Sequence, residues 1–203
     1  MRILIVGGKG TIGREVSAHF AKKHEVLVGG RTAGEVVVDI ADSQSILKMY
    51  ETTGKVDAVV CIAGEAKWAA FDVLTEADYD IGLRSKLMGQ VNLVRIGRSF
   101  LNPGGSFTLT TGILADHPVQ HTASAAMVNG GIHSFVKAAA LELFNEGTRI
   151  NVVSSGLVEE AVERYEAYFP GYNPIPMWKV INGYVECVEG HGTGQIIRIY
   201  DRV

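Results

Sequence analysis

Apolar, β-branched runs alternate with amphipathic stretches along this whole chain, and that alternation restricts its possible folds more than any other feature. The runs predicted as strands are "RILIV", "EVLVG", "VVV", "DAVVCIA", "SFTLT", "RINVVS" and "QIIRIY". Between them, stretches such as "TIGREVSAHFAKK" and "SAAMVNGGIHSFVKAAALELF" have apolar residues at helical spacing. Strands that are apolar on both faces are typical of parallel strands covered on both sides. The sequence therefore predicts an α/β fold, a doubly wound parallel sheet with helices on both faces.

Length and composition narrow the class of protein. With 203 residues, of which 47% are hydrophobic, the chain can bury one large core, so we expect a single domain over residues 1–203. The net charge is -3 and the basic residues are dispersed, which argues against nucleic acid or a membrane as a partner. The first apolar run is too short for a signal peptide, so a cytoplasmic protein is expected. Cys61 and Cys187 lie in apolar runs without metal-ligand spacing, and no metal site is predicted.

One segment departs from the alternation. Residues 156–176, "GLVEEAVERYEAYFPGYNPIP", are rich in aromatic residues and proline, which indicates a short helix and loop outside the sheet. Ligands of such folds bind at the carboxyl ends of the strands, so this segment is a candidate lid. A surface excursion that serves only stability is the alternative.

A glycine-rich turn, "VGGKGTIG", follows the first predicted strand and precedes the first predicted helix. Glycines in this position allow positive φ angles and close approach of backbone amides to a pyrophosphate, and the helix N-terminus adds positive potential. The turn therefore indicates a Rossmann-like dinucleotide site. Its candidate cofactor-binding residues are Gly7, Lys9, Gly10, Thr11, Ile12 and Gly13.

The ends of the next strands indicate which dinucleotide binds. The second strand ends at Arg31 and Thr32, where a protein that binds NAD usually has an acidic residue for the ribose 2′-hydroxyl. Arg31 could instead pair with a 2′-phosphate, which favours NADP over NAD; a solvated arginine is the alternative. The remaining cofactor-binding candidates are Asp39 and Ile40 at the adenine, and Ala63 and Gly64 at a ribose.

The whole chain resembles the short-chain dehydrogenase/reductase family. The resemblance lies in "GGKGTIG", the "VDI" after the third strand, the "CIAG" in place of the family's Asn-Asn-Ala-Gly, and "GGSFTLTTG" leading into "SAAMVNGGIHSFVKAAALEL". It implies hydride transfer at a nicotinamide, a carbonyl or alcohol substrate, and assembly into a homodimer or homotetramer. It also implies a catalytic set of Ser, Tyr and Lys, with an Asn on the preceding long helix.

That catalytic set is absent from this chain. Alignment on Gly131, Phe135 and Glu142 puts Ala125 at the tyrosine position and Asn129 at the lysine position. The same alignment puts Gly112 at the serine position and Lys86 at the asparagine position. A methyl group cannot transfer a proton and an asparagine has no charge to activate one. The chain therefore resembles an uncharacterised subgroup that keeps the glycine turn and lacks the catalytic residues.

Three residues are candidates for a substitute catalytic role. Lys86 could act as an acid or bind an anionic substrate, or it could form an ion pair or contact the cofactor. Thr111 could donate a hydrogen bond to a carbonyl, although threonine is also an ordinary strand residue. His121, like His117 in the same polar loop, could exchange protons near neutral pH or could simply be solvated. Ser124 is as consistent with a helix N-cap as with catalysis.

Three functions therefore remain open. The first is an NADP(H)-dependent oxidoreductase of the short-chain dehydrogenase/reductase type with an unusual acid. The second is a non-catalytic NADP(H)-binding sensor or regulatory protein, which the loss of the catalytic set favours. A structural oligomer without cofactor is disfavoured by the intact glycine turn and Arg31. We expect the oxidoreductase, with the binding protein as the alternative.

Overall fold

In the computed structural model, which describes residues 1–201, one parallel sheet of seven strands contains every strand. The strand order is β3-β2-β1-β4-β5-β6-β7, and each neighbouring pair is parallel. The bounds are β1 Arg2–Val6, β2 Glu25–Gly30, β3 Val36–Val37, β4 Val56–Cys61, β5 Leu101–Gly112, β6 Arg149–Ser155 and β7 Ile196–Ile199. The order reverses at β1, so the crevice beside its carboxyl end is where such folds bind ligands.

Helices cover both faces of the sheet. They are α1 Thr11–Phe20, α2 Ser43–Thr53, α3 Glu76–Gly82, α4 Gly89–Gly97, α5 Ala123–Leu143, α6 Val162–Tyr165 and α7 Met177–Glu189. One hydrophobic core lies between the sheet and α2, α4 and α5, and a second lies between the sheet and α1 and α7. The predicted doubly wound α/β fold is therefore confirmed.

Two strands differ in length from the sequence prediction. The "VVV" run forms only the two-residue edge strand β3, because Val38 already turns towards α2 after its N–H donates to the carbonyl of Gly30. The "SFTLT" run is the centre of a longer strand, since Leu101 pairs with Val56 before a register shift in the ladder. The polar turn "NPGG" concealed this extension in the sequence.

A continuous helical segment runs from α3 through a π-helical turn, Leu83–Met88, into α4. It starts with a capping box in which Thr75 and Asp78 bond each other's backbone N–H. Further on, the buried side chain of Gln90 donates to the carbonyl of Thr110 and accepts from its N–H, both at 2.9 Å. This pair of bonds fixes the helix against β5 and so positions the π-helical turn beside the strand ends.

Residues 156–176 leave the sheet after β6 and return before α7. The segment contains α6 between short 3₁₀ turns, and a bridge between Val158 and Ile175 joins its two ends. Within residues 1–201, no helix has the length and hydropathy needed to cross a membrane.

Candidate functional site

The glycine-rich turn lies at the carboxyl end of β1, where the chain passes into α1. Gly7 has a φ of +86°, and a Cβ there would lie 2.7 Å from the carbonyl oxygen of Ile62. A Cβ on Gly13 would overlap the carbonyl oxygen of Gly7. Both positions thus require glycine, because any side chain would push the turn away from β4 or lift α1 from the turn.

The first turn of α1 provides donors for an anion. Gly10 precedes the helix without a capping side chain, and the first turn contains no acidic residue. Thr11 and Lys9 are exposed at the turn. Uncapped N–H groups at the positive end of a helix are suited to phosphate oxygens. These features fit the pyrophosphate of a dinucleotide.

A hollow of about 160 Å³ continues from this turn along the strand ends. Six of the predicted cofactor residues line it: Gly7, Arg31, Asp39, Ile40, Ala63 and Gly64. The Asp39 carboxylate accepts from the N–H of Ala41 through Oδ1, at 3.0 Å. The hollow combines an apolar floor with polar side chains, as an adenosine moiety requires. Thr32 is exposed and does not line it.

Arg31 has a partner that the sequence did not indicate. Its Nη2 donates to Oε1 of Glu65 at 2.8 Å, and both side chains are more than half exposed. Glu65 follows the "CIAG" of β4, and Ser85 Oγ accepts from its backbone N–H. A 2′-phosphate at Arg31 would therefore have to displace this carboxylate. No local pattern links residues 34 positions apart in the chain.

A larger cavity of about 540 Å³ adjoins the hollow, with Gly64 and Glu65 lining both. Lys86 and Thr111, two of the three predicted catalytic candidates, lie on its wall. So do all the positions that replace the family's catalytic residues in the sequence alignment, namely Lys86, Gly112, Ala125 and Asn129. The structure thus brings β5, α5 and the π-helical turn together around one space.

Lys86 projects from the π-helical turn and packs directly over Gly64. A Cβ on Gly64 would lie 2.9 Å from the Cα and Cγ atoms of Lys86. Burial lowers the pKa of the Lys86 ammonium from its usual value. The neighbouring Cys61 thiol stays protonated, since burial raises its pKa to about 11.

Substitution of Gly64 by alanine tests how firmly this contact is made. Gly64 has a φ of +127° as well as the close approach to Lys86, so Gly64→Ala should lower the free energy of unfolding by about 2–4 kcal/mol. Gly104→Ala is the matched control, because Gly104 also has positive φ, +78°, but no atom lies within 4 Å of its Cβ position. Urea unfolding of both variants measures the difference. Equal losses of unfolding free energy in the two variants would mean that the Lys86 side chain moves aside without a cost in stability.

Thr111 is bonded to a histidine that the sequence analysis did not single out. Its Oγ1 lies 2.8 Å from Nε2 of His133, and both residues are buried. Burial lowers the pKa of His133 from its usual value, although the nearby Asp116 carboxylate acts in the opposite direction. Ala125, Asn129 and His133 are spaced four residues apart on α5. That spacing puts them on one helix face and was the available signal for His133.

The loop histidines lie elsewhere. His121 is exposed with a φ of +68°, its carbonyl accepts from the N–H of Ala69, and it does not line the cavity. His117 packs against the rings of Tyr172 and Tyr200. Ser124 lies inside the first turn of α5, which begins at Ala123, so it is not the N-cap.

An apolar hollow of about 210 Å³ extends the cavity towards β6. Ile12 of the glycine turn lines it, as do Ser155, Gly156 and Leu157 at the end of β6. Residues 156–176 form its outer wall, where Tyr165 packs against Trp68 with ring centroids 5.3 Å apart. The three spaces adjoin one another at the carboxyl ends of the strands, since neighbouring spaces share lining residues such as Gly64 and Trp68.

Comparison with known sequences identifies relatives over most of the chain. The family model described as enoyl-(acyl carrier protein) reductase matches residues 12–172. Glucose and ribitol dehydrogenase homolog 2 of Arabidopsis thaliana is 26% identical over 164 residues, which cover 74% of this chain and 57% of that protein. The chain spans about half the length of the curated relatives it matches.

Solved structures are similar over nearly the full length. The protein lin1944 from Listeria innocua superposes with a TM-score of 0.96 at 44% identity, covering 98% of this chain and 100% of that one. A small-chain dehydrogenase in complex with NADPH superposes with a TM-score of 0.86 at 25% identity, covering 98% and 96% of the two chains.

Proposed function

The chain belongs to the short-chain dehydrogenase/reductase family, and from that premise we propose that it is an NADP(H)-dependent oxidoreductase acting on a carbonyl or alcohol substrate. One observation supports this above the others. Gly64 and Glu65 line both the hollow beside Arg31 and Asp39 and the cavity beside Thr111. A dinucleotide held by the glycine turn would therefore have its nicotinamide end near the polar groups of the cavity.

The preference for NADP rests on Arg31. Arg31 directly follows β2, and the forked N–H donors of its guanidinium can form two parallel hydrogen bonds with a 2′-phosphate. The NADPH in a structural relative supports the same choice, at 25% identity. Gly7, Lys9, Gly10, Thr11, Ile12 and Gly13 would hold the pyrophosphate and the ring beyond it, with Asp39, Ile40, Ala63 and Gly64 at the adenosine.

The cofactor would supply the hydride, and the chain would supply the groups that orient the carbonyl. Reduction converts C=O to CH–OH by adding that hydride to carbon and a proton to oxygen. Thr111 would donate a hydrogen bond to the carbonyl oxygen, which is supported by its place on the cavity wall. With a proton on Nε2, His133 donates to Oγ1 and leaves the Thr111 hydrogen free to point into the cavity. The proton on oxygen would come from solvent through this pair.

A non-catalytic NADP(H)-binding protein is the second candidate function. The observation in its favour is that Ala125, Gly112 and Asn129 occupy the cavity wall where the family's tyrosine, serine and lysine would be expected. In that case the cleft would bind the cofactor and transmit its redox state to a partner.

Titration of the purified protein with NADPH and NADH by calorimetry separates these functions, when a panel of carbonyl compounds is then followed at the nicotinamide absorbance. We expect NADPH to bind more tightly than NADH and at least one carbonyl to be reduced. Tight NADPH binding without turnover of any compound would favour the binding protein. Failure of both nucleotides to bind would exclude both candidate functions.

The assembly proposed with this function is a homodimer or homotetramer. Large apolar side chains stand exposed on and just after α5, namely Met127, Leu141 and Phe144. Exposed apolar side chains of this size on one long helix are typical of surfaces between subunits. Light scattering of the eluted protein gives the subunit number directly.

A further inference from the structure

The charges around the large cavity are unbalanced. Lys67, Lys86 and Arg164 line it, and Glu65 is the one carboxylate on its wall within residues 1–201. Glu65 already pairs with Arg31 outside the cavity. The cations differ in exposure, since Lys67 and Arg164 are exposed and Lys86 is half-buried. The cavity thus has a positive interior that the described part of the chain leaves uncompensated.

Lys86 is the central group in this imbalance. No side chain among residues 1–201 forms a salt bridge or hydrogen bond with its ammonium, and the neighbouring Cys61 thiol, which stays protonated, supplies no negative charge. A half-buried ammonium without a counter-ion is costly, because it loses hydration and gains no Coulomb attraction in return. A ligand anion in the cavity would supply the missing partner.

Asn129 provides a second, independent indication of a ligand. It is 4% exposed and lies on the cavity wall, and its Oδ1 has no hydrogen-bond donor in the described structure. Ala125, one helical turn earlier, has only a methyl group and so leaves room beside it. A buried amide without a partner is usually satisfied by a bound molecule or water. Oδ1 accepts and Nδ2 donates, so the amide matches a hydroxyl group, which bonds in both directions, as in the alcohol form of a substrate.

The remaining walls indicate the rest of the ligand. Trp68, Tyr165, Ile81 and Leu114 present aromatic and aliphatic surface to the cavity. The guanidinium of Arg164 lies over the Tyr165 ring, 5.1 Å from its centroid. Residues 156–176 also bear carboxylates, at Glu159, Glu160, Glu163 and Glu166, but these are exposed and none lines the cavity. They therefore do not occupy the site where Lys86 would meet an anion.

We propose that the substrate is a carbonyl compound with an apolar or aromatic body and a carboxylate, and that the carboxylate binds the Lys86 ammonium. A carboxylate is favoured over a phosphate because Lys86, the half-buried cation of the cavity, is a single ammonium in the interior of a helical segment. Phosphates favour helix N-termini and arginine forks, and Arg164, the arginine on this wall, is exposed with its guanidinium over the Tyr165 ring. The substrate class rests on the proposed function. The redox change is the carbonyl reduction described under the proposed function. The keto acid gains a hydride from NADPH on carbon and a proton from solvent on oxygen, and gives the hydroxy acid and NADP.

The test uses phenylglyoxylate and its methyl ester as probes, which share a ketone and a phenyl ring and differ in the negative charge. Each is titrated by calorimetry into protein saturated with NADP, and NADPH oxidation is followed with each in parallel. We expect the acid to bind at least about tenfold more tightly than the ester, as a charge-assisted hydrogen bond implies. The same titration with pyruvate and phenyl phosphate shows whether the aromatic body and the carboxylate are both required.

Lys86→Met removes the charge and keeps most of the side-chain volume. The variant should bind acid and ester equally, whereas Lys48→Met, at an exposed lysine on α2, should keep the wild-type ratio. Binding of NADP to each variant verifies that the fold is retained. An ester that binds wild-type protein as tightly as the acid would overturn the proposal, as would failure of both to bind or tighter binding of phenyl phosphate. None of these outcomes affects the proposed function, which instead fails if neither nucleotide binds.

Discussion

Thr111→Val is expected to lower kcat for carbonyl reduction by about 100- to 1,000-fold and to leave NADPH affinity unchanged. Valine has nearly the shape of threonine, so the change removes the hydroxyl that contacts His133 from a residue of β5 on the cavity wall. Without it, the developing negative charge on the substrate oxygen has no donor at this wall. Steady-state kinetics with a reduced carbonyl compound, and calorimetry with NADPH, measure the two quantities separately.

The same strand offers a matched control. Thr108 is buried on β5, and its hydroxyl does not line the cavity, so Thr108→Val should retain kcat.

His133→Gln keeps a hydrogen-bonding side chain and removes the ionisable ring. Because burial holds the pKa of His133 below its usual value, the protonated ring becomes populated only as the pH falls towards that lowered pKa. Wild-type kcat should accordingly rise as the pH falls, and the rise should disappear in His133→Gln. An unchanged kcat in Thr111→Val would exclude the proposed role of this pair.

Arg31→Ala should weaken NADPH binding by about 10- to 100-fold and change NADH binding little, since a hydrogen bond to a charged group contributes about 1.5–3 kcal/mol. The two nucleotides differ only in the 2′-phosphate, which makes their ratio a direct measure of contact with that group. The loss should shrink at high salt, because the Arg31 side chain is exposed and its field is screened. Calorimetric titration at two salt concentrations tests both parts.

Glu65→Gln tests the same contact from the other side, because it removes the negative charge that pairs with Arg31. In the structure, the Glu65 carboxylate holds the guanidinium at 2.8 Å, so a 2′-phosphate must compete with it. Removing the charge should strengthen NADPH binding severalfold while NADH is little affected. Equal losses of both nucleotides in Arg31→Ala, or weaker NADPH binding in Glu65→Gln, would contradict a phosphate role for Arg31.

Local patterns in the sequence were sufficient for the architecture. Apolar runs such as "RILIV" and "RINVVS" form buried parallel strands because both faces of the sheet are covered, and this periodicity is visible without any long-range information. The glycine turn is equally local: Gly7 and Gly13 are required by the turn between β1 and α1 itself. Adjacent strand ends then bring Arg31, Asp39 and Gly64 to one hollow, which follows from the parallel order alone.

The contacts on which the proposed chemistry depends required the tertiary structure. Thr111 with His133 and Arg31 with Glu65 are pairs separated by a whole element or more, and residue identity alone does not specify which side chains meet. His121 was a plausible acid by residue type, yet the loop leaves it exposed and away from the cavity. Lys86 and Asn129 indicate a ligand only because they line the same cavity, where Lys86 has no counter-ion and Asn129 Oδ1 has no hydrogen-bond donor among the described residues. The sequence cannot show this, because the desolvation of a group depends on what surrounds it and not on its place in the chain. The sequence by itself determined the fold and the glycine-rich turn through short-range periodicity and backbone geometry, whereas only packing decided which polar groups are buried, paired or left without a partner.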